Sequence, residues 1–218
     1  MQIVTVALDT GGRDAVAPFV PDGFALPVLV DTAHETVEHL GFVNVPMAVW
    51  VDEEGRIARP AHAAQIERSP LRDLPDPEGD DRISRMLRQV KRIPDRGEDY
   101  PAEVADWVRH GAESRFAVPP EEVAAHSRPV GRDEAEAAAC FELGQHRWDR
   151  GDRDGARRWW RRAHELDPSS WSYKRQAWSL ETTGEGELTD LIQAPTEAYG
   201  TGWLEEVERI GADNYYAD

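Results

Sequence analysis

Leu143–Pro168 reads LGQHRWDRGDRDGARRWWRRAHELDP, and its spacing is that of two helices folded back on each other. Leu143 and Gly144 place a large residue and then a small one on the first helix. Gly151 and Asp152 make the turn, since glycine supplies the left-handed backbone that ends a helix. Ala156 and Ala163 keep the facing side of the second helix thin, and Trp160 supplies one large aromatic between them. Asp167-Pro168 stop the unit, because proline has no N–H to continue a helical ladder. The spacing predicts an antiparallel helix pair over 135–150 and 153–166, with Ala156 facing the first helix and Trp160 mostly buried.

Helical spacing extends on both sides of this pair. A third helix running to about Thr183 is expected to cover its open end. Upstream, 80–93 and 102–112 have helical periodicity, and Ile83, Met86, Leu87 and Val90 form one apolar stripe. Residues 60–80 and 113–131 are proline-containing connections. The tail from Leu188 to Tyr216 has two short helical stretches and ends in WLEEVERIGADNYY.

The first sixty residues have a different period. Gln2–Leu8 and Leu26–Val30 are short β-rich apolar runs, each expected to be a buried strand. Asp14–Val20 is a short helix broken by Pro18 and Pro21. Thr32–Leu40 is a helix with Thr32 as N-cap and Glu35 three residues on, closed by Gly41. Met47–Val51 is a third strand, and the acidic loop Asp52–Gly55 turns it into an antiparallel fourth, Arg56–Arg59. Strands alternating with helices predict an α/β parallel sheet with one antiparallel hairpin at its end.

Composition restricts the function classes. The chain has 218 residues, 40% hydrophobic and 31% charged, as in a soluble globular protein. A net charge of −17 disfavours nucleic acid and anionic membrane surfaces as partners. No apolar run reaches the ~18 residues of a membrane span, and the start lacks the features of a signal peptide, so a cytoplasmic protein is expected. The one cysteine, Cys140, excludes a disulfide within the chain and any site built from cysteine pairs. It falls on the first helix of the pair and reads as a packing residue, since buried cysteine behaves as a small hydrophobe. His34 and His39 are five apart, which is not a metal-sharing spacing, and no metal or other cofactor is expected. Glu53-Glu54 and Asp80-Asp81 read as solvated turn charges, and Gly11-Gly12 as a turn.

The helix pair resembles one tetratricopeptide (TPR) repeat, a scaffold that packs or binds proteins. In the N-terminal part, VTVALD at 4–9, FALPVLVD at 24–31, HLGF at 39–42 and VNVPMAVWVDEEGRI at 43–57 together resemble a thioredoxin-like redoxin of the ResA/TlpA or peroxiredoxin-related kind. The resemblance implies a cis bond between Val45 and Pro46, just before a core strand and beside the family's redox centre. It also implies a first strand and a helix carrying a redox dithiol, or selenocysteine in its place, ahead of Met1. Two alternatives stay open: the chain folds without that unit, or the coding frame continues upstream through an active-site word of the W-C-x-x-C kind.

The resulting organisation is a partial thioredoxin-like core over 1–60, a linker with accessory helices over 61–131, a TPR-like all-α region over 132–183 and a C-terminal tail over 184–218. The fold class is an incomplete α/β thioredoxin-like sheet followed by helices. No catalytic residue is assigned. Five of the eight tryptophans fall between Trp148 and Trp178. Trp160 reads as core, and Trp159, on another face, joins Arg158 and Arg162 as the expected partner surface. Three functions follow: a redoxin relative that is redox-inactive as this chain stands, a non-enzymatic module that binds a protein through the repeat, and a repeat that merely covers the sheet.

Overall fold

The computed structural model describes residues 1–126, 130–181 and 200–216. Among these residues there are four strands: β1 (Thr5–Leu8), β2 (Val28–Asp31), β3 (Met47–Val51) and β4 (Ile57–Ala63). The helices are α1 (Gly12–Val16), α2 (Glu35–Leu40), α3 (Arg82–Arg92), α4 (Asp99–His110), α5 (Pro120–His126), α6 (Arg132–Asp149), α7 (Arg153–Leu166), α8 (Trp171–Leu180) and α9 (Trp203–Ile210). The expected tail elements over 184–199 lie outside the described residues.

The expected α/β thioredoxin-like sheet is not what forms. β1 pairs in parallel with β2, β3 pairs antiparallel with β4, and among the described residues the two pairs do not join. The molecule is mostly helical, with two small two-stranded sheets. The strand periodicity was real, but each strand of four to seven residues satisfies one neighbour only. Packing falls instead to helices. Leu8, Val37 and Phe42 from the N-terminal part meet Phe141, Tyr173 and Ala177 from the helical part in one core.

Local chemistry explains several boundaries. Asp31, not Thr32, caps α2: its carboxylate accepts from Glu35 N at 3.0 Å, Thr36 N at 2.8 Å and Thr36 Oγ1 at 2.7 Å. His34, in the left-handed region, lets the chain turn into that helix. Asp81 caps α3 through Ile83 N and Ser84 N, and Asp152 caps α7 through Gly155 N. β4 runs on to Ala63, past the end expected at Arg59, and the 113–131 connection contains α5.

The helix pair is the most closely packed unit. Ala137, Ala156, Trp160 and Ala163 are fully buried in it. A Cβ built on Gly144 would lie 2.4 Å from the Trp160 indole, so only glycine admits that ring. We expect Ala156→Leu to overpack the interface and cost about 1–3 kcal/mol in urea denaturation. Gly144→Ala should also destabilise, although alanine gains ~1 kcal/mol of helix propensity over glycine. A gain in stability from Gly144→Ala would refute the close approach.

Candidate binding pocket

The peptide bond between Val45 and Pro46 is cis. Its loop is held from two directions. Trp171 N, at the start of α8, donates to Val43 O at 2.8 Å. Asn44 is fully buried: its Nδ2 donates to Tyr215 O at 3.1 Å, and its Oδ1 accepts from Arg175 Nε at 3.2 Å and from Val45 N at 2.9 Å. Tyr216 Oη donates to Val45 O at 3.3 Å, and Ala64 N donates to Pro46 O at 3.1 Å. Tyr215 Oη accepts from Arg175 and, at 2.8 Å, from Trp203 Nε1. The C-terminal residues thus clamp the loop onto α8.

The far side of this clamp is one wall of an apolar pocket of about 570 Å³. Trp203, Tyr215 and Tyr216 form that wall. The apolar stripe of α3, from Ile83 through Met86, Leu87 and Val90 to Ile93, forms a second. Residues 65–74, including the 3-10 turn Pro70–Asp73, form a third. Such a size and lining suit a ligand-sized molecule. The stripe was legible in the sequence, but α9 was not expected to leave it partly open.

The wall is fixed by charge. Arg82 binds Glu205 and Arg85 binds Glu208, tying α3 to α9. Beneath α9, Glu206 is buried against Lys174 Nζ at 3.2 Å, His164 Nε2 at 3.3 Å and Arg209 at 2.7 Å, and accepts from Thr201 Oγ1 at 3.1 Å. Burial raises the Glu206 pKa, but hydrogen bonds from His164 and Arg209 and the Lys174 charge outweigh it and hold the carboxyl well below its usual range. Burial pulls Lys174 down to about 8, against the opposing pull of Glu206. Lys174 also donates to Pro168 O at 2.6 Å and sits 4.5 Å from the Trp171 ring centroid.

The residues expected as a partner surface, Trp159, Arg158 and Arg162, lie on α7. Arg158 is exposed, with its guanidinium 5.7 Å from the Trp159 ring centroid, but Trp159 is partly buried against the repeat's core. Arg162 is engaged by Glu136 at 2.9 Å and Glu165 at 3.6 Å. The face of α6 and α8 that meets the N-terminal part is covered by the chain itself. The His34 ring lies edge-on to Phe141 at 4.9 Å, and Thr10 N donates to Gln176 Oε1 at 3.1 Å. Cys140 is only 5% exposed, and burial pushes its thiol pKa up.

Among the described residues no cluster of His, Cys, Asp or Glu is placed to hold a metal ion, and no helix is long and apolar enough to cross a membrane. No protein-family model, curated protein or solved structure matches this chain.

The depressed Glu206 carboxyl contributes stability that is present above its unfolded pKa of about 4.3 and lost as the pH falls below it. Glu206→Gln, which leaves Lys174 buried without its counter-charge, should cost about 3–5 kcal/mol at pH 7. The gap from the parent should narrow as pH drops below about 4, measured by denaturant titration at each pH. A gap independent of pH would refute the ionic anchoring of α9.

Proposed function

We propose that the chain is a non-enzymatic binding module, redox-inactive as it stands, and that its ligand site is the pocket between α3 and the C-terminal aromatics. The observation that carries this reading is the pocket itself: an open apolar space of about 570 Å³ beside a fixed loop, with walls from three separate segments. Apolar surface left facing water on that scale gains free energy when covered, at about 25 cal/mol per Å². The redoxin resemblance supplies no chemistry to these residues. Its reaction needs an accessible thiolate, and Cys140 is the one cysteine, enclosed in the helix pair. The TPR-like pair supports the site from behind: its packing carries α8, and α8 carries Arg175 and Lys174.

Titration with 8-anilinonaphthalene-1-sulfonate tests this. We expect a saturable fluorescence rise in the parent, lost in Ile83→Glu and kept in Val108→Glu, which alters an exposed apolar residue of α4 away from the pocket. We also expect dithiothreitol-driven insulin reduction to proceed at the background rate with either the parent or Cys140→Ser. Turnover that disappears in Cys140→Ser, or dye binding indifferent to Ile83→Glu, would overturn the proposal.

A further inference from the structure

We infer that His34 is an acid-sensitive latch: when its ring takes up a proton, the N-terminal segment 1–42 loosens from the face of α6 and α8 that it covers. The ring lies within that contact and is only 1% exposed. It stands edge-on to Phe141 of α6, with ring centroids 4.9 Å apart, and is tilted against Tyr173 of α8 at 6.2 Å. His34 has φ 60°, and among the described residues it is the one non-glycine residue with a positive φ. Histidine adopts this left-handed backbone more readily than most residues. Its carbonyl accepts from Val37 N at 3.0 Å, so the turn that carries the ring is built into the start of α2.

The contact offers nothing to a proton on Nδ1. That nitrogen is buried and, among the described residues, has no hydrogen-bond partner. In an imidazolium both ring nitrogens are donors, so protonation brings a charge and an unanswered N–H together. The acids nearest the ring are already engaged. Asp31 accepts from Glu35 N, Thr36 N and Thr36 Oγ1, and Asp9 accepts from Gly11 N at 2.8 Å. Burial draws the His34 pKa down from 6.5 to about 4, against the opposing charges of Asp31 and Asp9. On α8, Lys174 is bound to Glu206 and Arg175 to Asn44. Glu38 of α2 and Glu142 of α6 act on Tyr173 and on one another. Burial and then Glu142 raise the Glu38 carboxyl, so its own protonation favours the docked state and works against His34.

Released into water, His34 returns to its ordinary pKa of about 6.5. The docked state therefore keeps its full advantage above that value and loses it as the pH falls toward about 4. Between pH 7 and pH 5 the two values make opening about 20-fold easier. The opening ends at Phe42, because Trp171 N holds Val43 O and Asn44 is fixed by Tyr215 and Arg175. What it uncovers is Phe141, Tyr173 and Ala177, the residues that meet Leu8, Val37 and Phe42 in the shared core.

Amide hydrogen exchange of the full chain, resolved by residue with NMR, tests the latch. Thr10 N donates across the contact to Gln176 Oε1 at 3.1 Å, so its protection reports docking. The Thr10 protection factor should fall about 20-fold between pH 7 and pH 5. Ala156 N, bonded to Asp152 O at the start of α7, should keep its protection over the same range. His39→Asn should respond as the parent does. His34→Asn, which suits the left-handed backbone and takes up no proton, should give a Thr10 profile that is flat or rises slightly with acid. Equal falls in the parent and His34→Asn, or a loss at Ala156 that matches the loss at Thr10, would overturn the inference. If circular dichroism shows that His34→Asn does not fold, the imidazole titration of the parent decides. A His34 midpoint below about 5 together with falling Thr10 protection supports the latch. A midpoint near the ordinary value of about 6.5, or Thr10 protection indifferent to pH, sinks it.

Discussion

Residues 44, 175 and 215 lie in three distant parts of the chain, and one buried polar node joins them. Asn44 shares its amide between Tyr215 O and Arg175 Nε, and Arg175 also reaches the Tyr215 hydroxyl. Apolar packing could tolerate a slide between these segments. A fully buried asparagine cannot, because each lost partner leaves a desolvated polar group costing about 1–3 kcal/mol. The node therefore sets the register of the cis-proline loop, α8 and the C-terminus together. That register brings Tyr215 and Tyr216 to one wall of the pocket, with Met86, Val90 and Ile93 of α3 packed against the same aromatic cluster.

The same division between apolar bulk and polar register recurs beneath α9. Trp171, Trp178, Trp203, Leu204 and Val207 provide the bulk. Lys174 and Glu206 provide the register, at a desolvation cost that their attraction and hydrogen bonds to Pro168 O, His164 and Arg209 offset. In the helix pair the register comes from shape. Gly144 leaves room for one indole, and that indole fits only if the helices meet at this residue.

The sequence displayed most of the helical half. Its pattern is local: small residues at fixed spacing, a glycine turn, a closing proline, and a stripe on α3 that repeats every three or four positions. The boundaries of α6, α7 and α3 fell within a few residues of expectation for that reason. The sheet was misread because alternation shows that a segment is a strand but not which strand it joins. β1 with β2 and β3 with β4 satisfy every strand signal in the first sixty residues without forming one sheet. The asparagine node left no pattern at all, since Asn44, Arg175 and Tyr215 meet only in three dimensions. The closing tyrosines were visible as an unusual ending, with nothing nearby to say what they would face.

Trp159, Arg158 and Arg162 all lie on α7. That helix carries five arginines. In a chain of this net charge, acids are the commonest neighbours any arginine will meet, and Glu136, Glu165 and Glu181 supply them from within. Cationic clusters in such a chain are spent on holding its own helices together, as Arg82 and Arg85 are spent on α9. What its own acids cannot cover is apolar. Among the described residues the stripe of α3 is itself only partly covered, Met86, Val90 and Ile93 packing against the tail's aromatics while Ile83 stays exposed.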